Sequence, residues 1–197
     1  MAENKNKAKL VLASSSPRRE EILNQLKLKF TIVPGKIDES NFNSSSPEEL
    51  VKTLAVEKAR SVSGLVEDAL IIAADTIVVY EDQILGKPAD QAEAKEQLKL
   101  LSGREHNVIT GIAVLDSETD EVLVDRNITR VKMLNFKEDK IDKYISTGEP
   151  MDKAGSYGIQ GLGGLFVEEI EGSYYSVVGL PIHQLAELLD KFNYGIL

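Results

Sequence analysis

The sequence predicts an α/β protein with a mixed central sheet flanked by helices. In the first half of the chain, short β-rich runs alternate with segments of helical periodicity. Segment Ala69–Tyr80 is nearly continuous in apolar and β-branched residues, which is typical of a strand buried on both faces. Two further long strands, His106–Leu115 and Glu121–Leu134, are joined by the polar loop 116–120. Because that connection makes a hairpin, the sheet is not purely parallel.

Length and composition limit the function classes. The 197 residues are enough for one large domain, and we treat residues 1–197 as a single domain with residues 1–8 as a flexible N-terminal tail. The net charge of −9 opposes binding to nucleic-acid polymers or acidic membranes, but a local basic pocket could still accept a small phosphorylated molecule. The absence of cysteine excludes disulfides, thiolate metal sites and cysteine nucleophiles. Without a signal peptide or a membrane-spanning run, a cytoplasmic protein is expected.

The remaining elements follow from local signals. Ser46 with Glu49 and Asp90 with Glu93 have the spacing of capping boxes that begin helices. Segment 148–164 is dense in glycine and too long for an ordinary connector, so a functional loop is expected. Strands are predicted at Leu10–Ala13, Phe30–Val33, Leu165–Ile170 and Tyr174–Val178, the last two as a hairpin, and helices at Pro47–Ser63, Asp90–Leu101, Glu138–Thr147 and from Pro181.

The turn from Ser14 to Arg19 is the first candidate site. Ser16 and Pro17 are typical of an N-cap and the first position of a helix. Arg18 and Arg19 then lie in the first turn, where the helix dipole disfavours positive charge. Hydroxyl groups, a helix N-terminus and two guanidinium groups at one point predict an anion site, most plausibly for phosphate. The alternative is that both arginines lie in solvent.

Asp75 is the strongest single candidate, because a carboxylate within an apolar strand is costly unless it is paired or bound. It is interpreted as a base or a metal ligand, with a hydrogen-bonded structural aspartate as the alternative. Glu39, beside Asp38, could join it in holding a divalent ion. Thr76 would face the opposite side of a regular strand, so it reaches the same site only if the strand ends or bends there.

Three lysines are candidate phosphate contacts beside the arginines. They are Lys58, Lys87 and Lys153. Each alone is more typical of a surface lysine, although Gly86 and Pro88 restrict the backbone around Lys87. Common nucleotide motifs are absent, since neither the P-loop nor the dinucleotide glycine spacing occurs, and the two histidines are isolated.

Several motifs together resemble the Maf family of nucleotide pyrophosphatases. They are Leu12–Arg19 (Leu-Ala-Ser-Ser-Ser-Pro-Arg-Arg), Ala74–Thr76, Gly86–Pro88, Leu101–Gly103 with His106, Glu149–Gly161 (Glu-Pro-Met-Asp-Lys-Ala-Gly-Ser-Tyr-Gly-Ile-Gln-Gly) and Tyr174–Pro181. The resemblance runs from about Lys9 to Phe192. It implies an elongated, two-lobed α/β fold, similar to inosine triphosphatases, with the active site in a cleft. It also implies a homodimer.

The resemblance further implies a house-cleaning enzyme that hydrolyses nucleoside triphosphates to monophosphate and pyrophosphate with Mg²⁺ or Mn²⁺. Asp75 matches the family's catalytic base, and Glu39 with Asp75 would hold the metal. Ser14, Ser16, Arg18, Lys58, Lys87 and Lys153 would bind the triphosphate. Arg19, Thr76 and Gln160 match the branch that acts on dTTP and UTP. An amide such as that of Gln160 can both donate to and accept from a pyrimidine edge. The alternatives are a non-catalytic nucleotide-binding regulator of septum formation and a pyrophosphatase for modified purine triphosphates.

Overall fold

A computed structural model describes residues 8–39, 42, 44 and 46–197. The expectation of a flexible tail over residues 1–8 therefore concerns residues that, apart from residue 8, lie outside this description.

Seven strands in this part of the chain form one sheet, in the order β2-β1-β3-β5-β6-β7, with β4 beside β3. Strand β1 is parallel to both β2 and β3, whereas β3–β4 and β6–β7 are antiparallel. The predicted mixed α/β sheet is thus confirmed. The strands are β1 (Lys9–Leu12), β2 (Phe30–Ile32), β3 (Ala69–Tyr80), β4 (Gln83–Leu85), β5 (Glu105–Asp116), β6 (Val122–Met133) and β7 (Val167–Glu171).

The helices in the described residues begin mostly where the sequence signals place them. Ser46 Oγ accepts from the Glu49 N–H, and Asp90 Oδ1 accepts from the Glu93 N–H, so both predicted caps are formed. Ser16 occupies the N-cap of the first helix, but its side chain makes no capping hydrogen bond. The helices are α1 (Pro17–Gln25), α2 (Pro47–Ser63), α3 (Gln91–Leu101), α4 (Glu138–Ser146), α5 (Tyr174–Val178) and α6 (Ile182–Lys191).

The described chain divides into two compact units. The first comprises the residues up to Asp75 together with Thr110–Arg126 and Gly179–Leu197. In it, alternate buried side chains of β1 and β3 pack against Ala59 and Val62 of α2. The opposite faces of these strands are buried as well, at Leu10, Leu12, Leu70 and Ile72. The prediction that β3 is buried on both faces is therefore confirmed.

The second unit comprises Thr76–Ile109 and Asn127–Val178. One apolar cluster holds it together, with α3 and α4 packed on the strands. Thr129, Val131 and Met133 of β6 are buried, whereas Ile128 and Arg130 are exposed and Lys132 is half-buried, so the strand has one drier and one wetter face. The buried members of the cluster are Val78, Leu85, Ala94, Leu98, Leu101, Val108, Val131, Met133, Ile141, Tyr144, Ile145, Tyr157 and Phe166.

The predicted strand at Tyr174–Val178 is wrong, because this segment is the short helix α5. Ser173 begins it: its hydroxyl accepts from the Ser176 N–H and its carbonyl from the Val177 N–H. This local cap outweighs the β propensity of two tyrosines and two valines. The partner of β7 is instead β6, with Ile170 opposite Val131.

Candidate functional site

The turn between β1 and α1 is organised by the Ser14 hydroxyl. Ser14 is buried, and its Oγ accepts from the Ser16 N–H at 3.1 Å and from Arg19 Nη1 at 3.2 Å. A serine hydroxyl has two acceptor positions and one proton. With both acceptor positions used, the O–H is the group that Ser14 can donate to an anion.

Arg19 is held inside the first unit. Its Nε donates to the Gly179 carbonyl at 2.8 Å, and the residue is half-buried, so the solvent alternative is wrong for Arg19. Desolvation lowers the pKa of the guanidinium below its ordinary value, and Arg18 lowers it further, while the negative charges of Asp75 and Glu39 raise it. Arg18, Asp75 and Glu39 are therefore close enough to Arg19 for their charges to act on it.

Asp75 lies on the face of β3 that α2 covers. It follows Ile71 and Ala73 at the period of two, and Lys58 of α2 reaches it from the covering helix. Lys58 Nζ donates to Asp75 Oδ1 at 2.5 Å. The two side chains are only 13% and 9% exposed, so this is a largely buried ion pair that compensates the carboxylate in the strand.

Glu39 approaches the same ammonium group from the loop after β2. Its Oε1 lies 2.8 Å from Lys58 Nζ, and its side chain is 54% exposed. Gly35 lets the loop approach, because a Cβ there would lie 2.7 Å from the Lys58 carbonyl oxygen. The structure therefore brings Glu39, Lys58 and Asp75 together.

The carboxylates of Glu39 and Asp75 fit a hard divalent cation that takes its remaining ligands from water or a phosphate. Glu39 and Asp75 bind one ammonium, so both carboxylates are within reach of a single cation. No group of three or more histidine or acidic side chains suited to a metal occurs among the described residues. Magnesium, which usually takes only one or two protein carboxylates and keeps waters or phosphate oxygens, suits such a pair.

The second unit carries Lys87, Lys153 and Gln160. Lys87 is exposed, and the preceding Gly86 carbonyl accepts from the Gly155 N–H at 3.2 Å. Lys153 is not a surface lysine: its side chain is 12% exposed, and its Nζ donates to the Glu149 carbonyl and to Asp152 Oδ1, both at 2.6 Å. Its role as a phosphate contact stays a prediction, as do those of Lys87 and Gln160.

Thr76 follows Asp75 in β3, and the strand continues through both residues to Tyr80. Thr76 was expected to reach the site of Asp75 only if the strand ended or bent at this point, and the strand does not end at this point. Its role in substrate selection stays a prediction.

Two further groups lie within motifs of the sequence, but the sequence analysis gives them no role. The carbonyl of Gly179 accepts from Arg19 across 160 positions. The Glu149 carboxylate accepts from the backbone N–H groups of Leu162 and Gly163 beside Gln160. A main-chain acceptor and an acid among loop residues have no spacing pattern that would reveal such partners.

Comparison with known proteins places these features in a family. The profile of the Maf-like protein family matches residues 9–192. A dTTP/UTP pyrophosphatase of Bacillus cereus (strain ATCC 10987 / NRS 248) is 47% identical over 98% of this chain and 95% of its own. A dTTP/UTP pyrophosphatase of Pelotomaculum thermopropionicum is 47% identical over 95% of this chain and 98% of its own. A solved HAM1 protein from Coxiella burnetii is 20% identical, with a TM-score of 0.46 over 64% of this chain and 73% of its own.

None of the helices in the described part of the chain is long and apolar enough to cross a bilayer.

Proposed function

Because the chain belongs to the Maf-like protein family, we propose that it hydrolyses nucleoside triphosphates, with dTTP and UTP preferred, to the monophosphate and pyrophosphate. The observation that carries the proposal is the buried Asp75 carboxylate, which is paired with Lys58. The names of relatives that are 47% identical over nearly the full chain support it.

The β1–α1 turn supplies the groups that would bind phosphate. Ser14 offers its O–H, and Arg18 and Arg19 offer guanidinium groups near the start of α1. Ser16, whose side chain makes no capping bond, adds a second hydroxyl. Guanidinium groups and a helix N-terminus suit phosphate because they combine fixed N–H donors with positive charge. Lys58, Lys87 and Lys153 would neutralise the remaining phosphate charge.

Asp75 would orient the attacking water and take its proton. The water oxygen forms a bond to the α-phosphorus while the bond from that phosphorus to the α,β-bridging oxygen breaks. The electron pair of that bond leaves with pyrophosphate, and the proton passes to the Asp75 carboxylate. Positioning and charge neutralisation supply most of the acceleration in reactions of this class.

Mg²⁺ or Mn²⁺ held by Glu39 and Asp75 would supply charge neutralisation on the phosphate oxygens. Lys58 now occupies the space between these two acids, and a triphosphate offers that ammonium a competing set of acceptors.

Substrate selection is assigned to Arg19, Thr76 and Gln160, with Gln160 reading the base edge through its amide. Replacement of Arg19 or Gln160 is expected to alter base preference more than phosphate binding. An unchanged substrate profile would remove them from this role.

The first prediction concerns Asp75→Asn. The amide keeps the shape and can accept one hydrogen bond from Lys58, but it cannot take a proton from water. We expect a folded protein whose kcat for dTTP falls by roughly 10³-fold. The measurement is pyrophosphate release together with a circular dichroism spectrum. Asp139→Asn, at an exposed aspartate of α4, is the control and should keep wild-type kcat. Retained dTTP turnover in Asp75→Asn would rule out Asp75 as the base.

A panel of triphosphates separates the rival functions. Pure protein with Mg²⁺ is incubated with dTTP, UTP, canonical purine triphosphates and modified purine triphosphates. Pyrophosphate released mainly from dTTP and UTP supports the proposal. Binding without release supports the regulator, and release mainly from modified purines supports the other enzyme.

The same proposal includes free nucleotides as substrates, a cytoplasmic location and a homodimer. The net charge of −9 supports a small substrate over a nucleic-acid polymer. Light scattering of the purified protein measures the oligomeric state.

A further inference from the structure

The Glu149 carboxylate holds the C-terminal side of the loop that carries Gln160. Its Oε2 accepts from the Leu162 N–H at 3.1 Å, and its Oε1 accepts from the Gly163 N–H at 3.0 Å. The same Oε1 accepts from the Tyr144 hydroxyl at 3.0 Å. Hydrogen bonds to a charged acceptor are the stronger kind, so this carboxylate fixes the backbone that follows Gln160.

Tyr144 extends the attachment to the residues before Gln160. Its hydroxyl donates to Glu149 and accepts from the Gly158 N–H at 3.3 Å. The residue is only 4% exposed, and its ring lies edge-on to Phe166 with the centroids 5.1 Å apart. Burial and the neighbouring Glu149 raise the pKa of the phenol, so it stays protonated and able to donate. The tyrosine thus links Gly158 to the Glu149 carboxylate.

The two sides of the loop approach each other closely. A Cβ at Gly163 would lie 2.5 Å from the Gly158 carbonyl oxygen and 2.6 Å from the Tyr144 hydroxyl. Gly161, next to Gln160, has φ +89°, which side chains other than glycine rarely adopt. The backbones of Gly158 and Gly163 therefore lie in close contact, and Gln160 lies in the short loop between them.

We propose that Glu149, acting with Tyr144, is a positioning residue for substrate selection, because it holds the loop that presents the Gln160 amide. The inference rests on the proposed function, in which Gln160 reads the base. An amide discriminates between bases only if its donor and acceptor ends keep a fixed orientation. A displacement of about 1 Å of such a group is enough to lower a rate constant by orders of magnitude.

Glu149→Gln tests this with little change in volume. The substituted amide turns an N–H₂ donor toward one of the backbone N–H donors, so the loop loses at least one attachment. We expect kcat/KM for dTTP to fall by roughly 10- to 100-fold, mainly through KM, and the preference for dTTP over dCTP and dGTP to fall with it. Glu168→Gln, at an exposed glutamate paired with Lys132, is the matched control and should keep both values.

A double-mutant cycle separates positioning from general damage. If Glu149 acts through Gln160, the variant that combines Glu149→Gln with Gln160→Ala should discriminate no worse than Gln160→Ala alone. The inference would be overturned if the double variant lost discrimination by the product of the two single losses, or if Glu149→Gln kept the wild-type substrate profile. Either result would leave the proposed function intact. A wild-type protein that releases no pyrophosphate from any triphosphate would overturn both. If Glu149→Gln does not fold, Tyr144→Phe keeps the ring and removes the hydroxyl, and the same shift in preference is expected.

Discussion

Lys58, which is predicted to bind phosphate, forms ion pairs with two acids in the protein without substrate. Its ammonium contacts both Glu39 and Asp75, so one positive charge balances two acids. A buried carboxylate without such a partner would be strongly destabilising. The ion pairs of Lys58 also connect phosphate binding with metal binding. If the ammonium turns to a phosphate, both acids become available to another cation.

His106 gives the prediction at this scale. Its Nε2 lies 2.7 Å from the Tyr157 hydroxyl, and burial lowers its pKa from 6.5 to about 4. The unfolded chain therefore binds this proton near pH 6.5, whereas the folded protein excludes it until about pH 4. Stability must fall as the pH is lowered through this window, by up to roughly 3 kcal/mol from this group.

Urea unfolding of the wild type and of His106→Gln at several pH values measures the effect. The wild type should lose more free energy of unfolding than the variant between pH 6.5 and 4, because glutamine does not titrate. Parallel pH curves for the two proteins would contradict the prediction.

At the scale of elements, the approach of α2 to β5 is set by a glycine. A Cβ at Gly111 would overlap the backbone carbonyl of Val51 and lie 2.8 Å from the Lys52 nitrogen. The same helix carries Lys58, so the position of the ammonium depends on how closely α2 is seated. Backbone atoms cannot rotate away as a side chain can, and an added methyl group must displace the helix.

Gly111→Ala is accordingly expected to lower the free energy of unfolding by about 3 kcal/mol or more and to weaken dTTP hydrolysis. Gly64→Ala is the matched control, since no atom lies within 4 Å of its added Cβ and its φ of −74° is open to alanine. That variant should unfold within about 1 kcal/mol of the wild type. Equal stability of the two variants in urea would refute the assigned close contact.

Elements with strong local signals were predictable from the sequence, and those fixed by distant contacts were not. The caps at Ser46 and Asp90 and the buried strand Ala69–Tyr80 depend on neighbouring residues, and the structure confirms them. Helix α5 was predicted as a strand because its composition favours β structure. The only local signal for a helix is the cap at Ser173, a single residue.

The candidate site divides in the same way. Asp75 was identifiable because an acid in an apolar run is conspicuous, but its pairing with Lys58 depends on how α2 covers β3. Glu149 lies in the Glu149–Gly161 motif, but its role was not identifiable. Two of its partners are backbone N–H groups that every loop residue possesses, and the third is the Tyr144 hydroxyl of a separate helix.

At the scale of the whole molecule, neither compact unit is a continuous piece of chain. The first is assembled from three segments and the second from two, and β3, β5 and β6 each contribute to both. The last segment, Gly179–Leu197, supplies α6, whose Leu185, Leu188 and Leu189 are buried. It also supplies the carbonyl that accepts from Arg19.

Removal of residues 179–197 should therefore abolish the cooperative unfolding of the first unit, although the chain would end at the boundary of the second. Deleting three buried leucines removes several kcal/mol of hydrophobic burial and exposes the apolar surface that they cover, a loss comparable with the whole stability of a domain. Thermal unfolding followed by circular dichroism measures the loss. A chain that ends at Ile196 is the control and should melt as the full chain does, because Leu197 is fully exposed. A wild-type melting curve for the longer truncation would contradict the assignment.

The bond between Arg19 and Gly179 has a consequence for synthesis on the ribosome. Gly179 is translated 160 residues after Arg19, so its carbonyl does not yet exist when the arginine leaves the ribosome. A nascent chain therefore carries the Ser14–Arg19 turn without this acceptor while those residues are made. The turn acquires its final form only after Gly179 has been translated, so the order of synthesis delays a competent anion site.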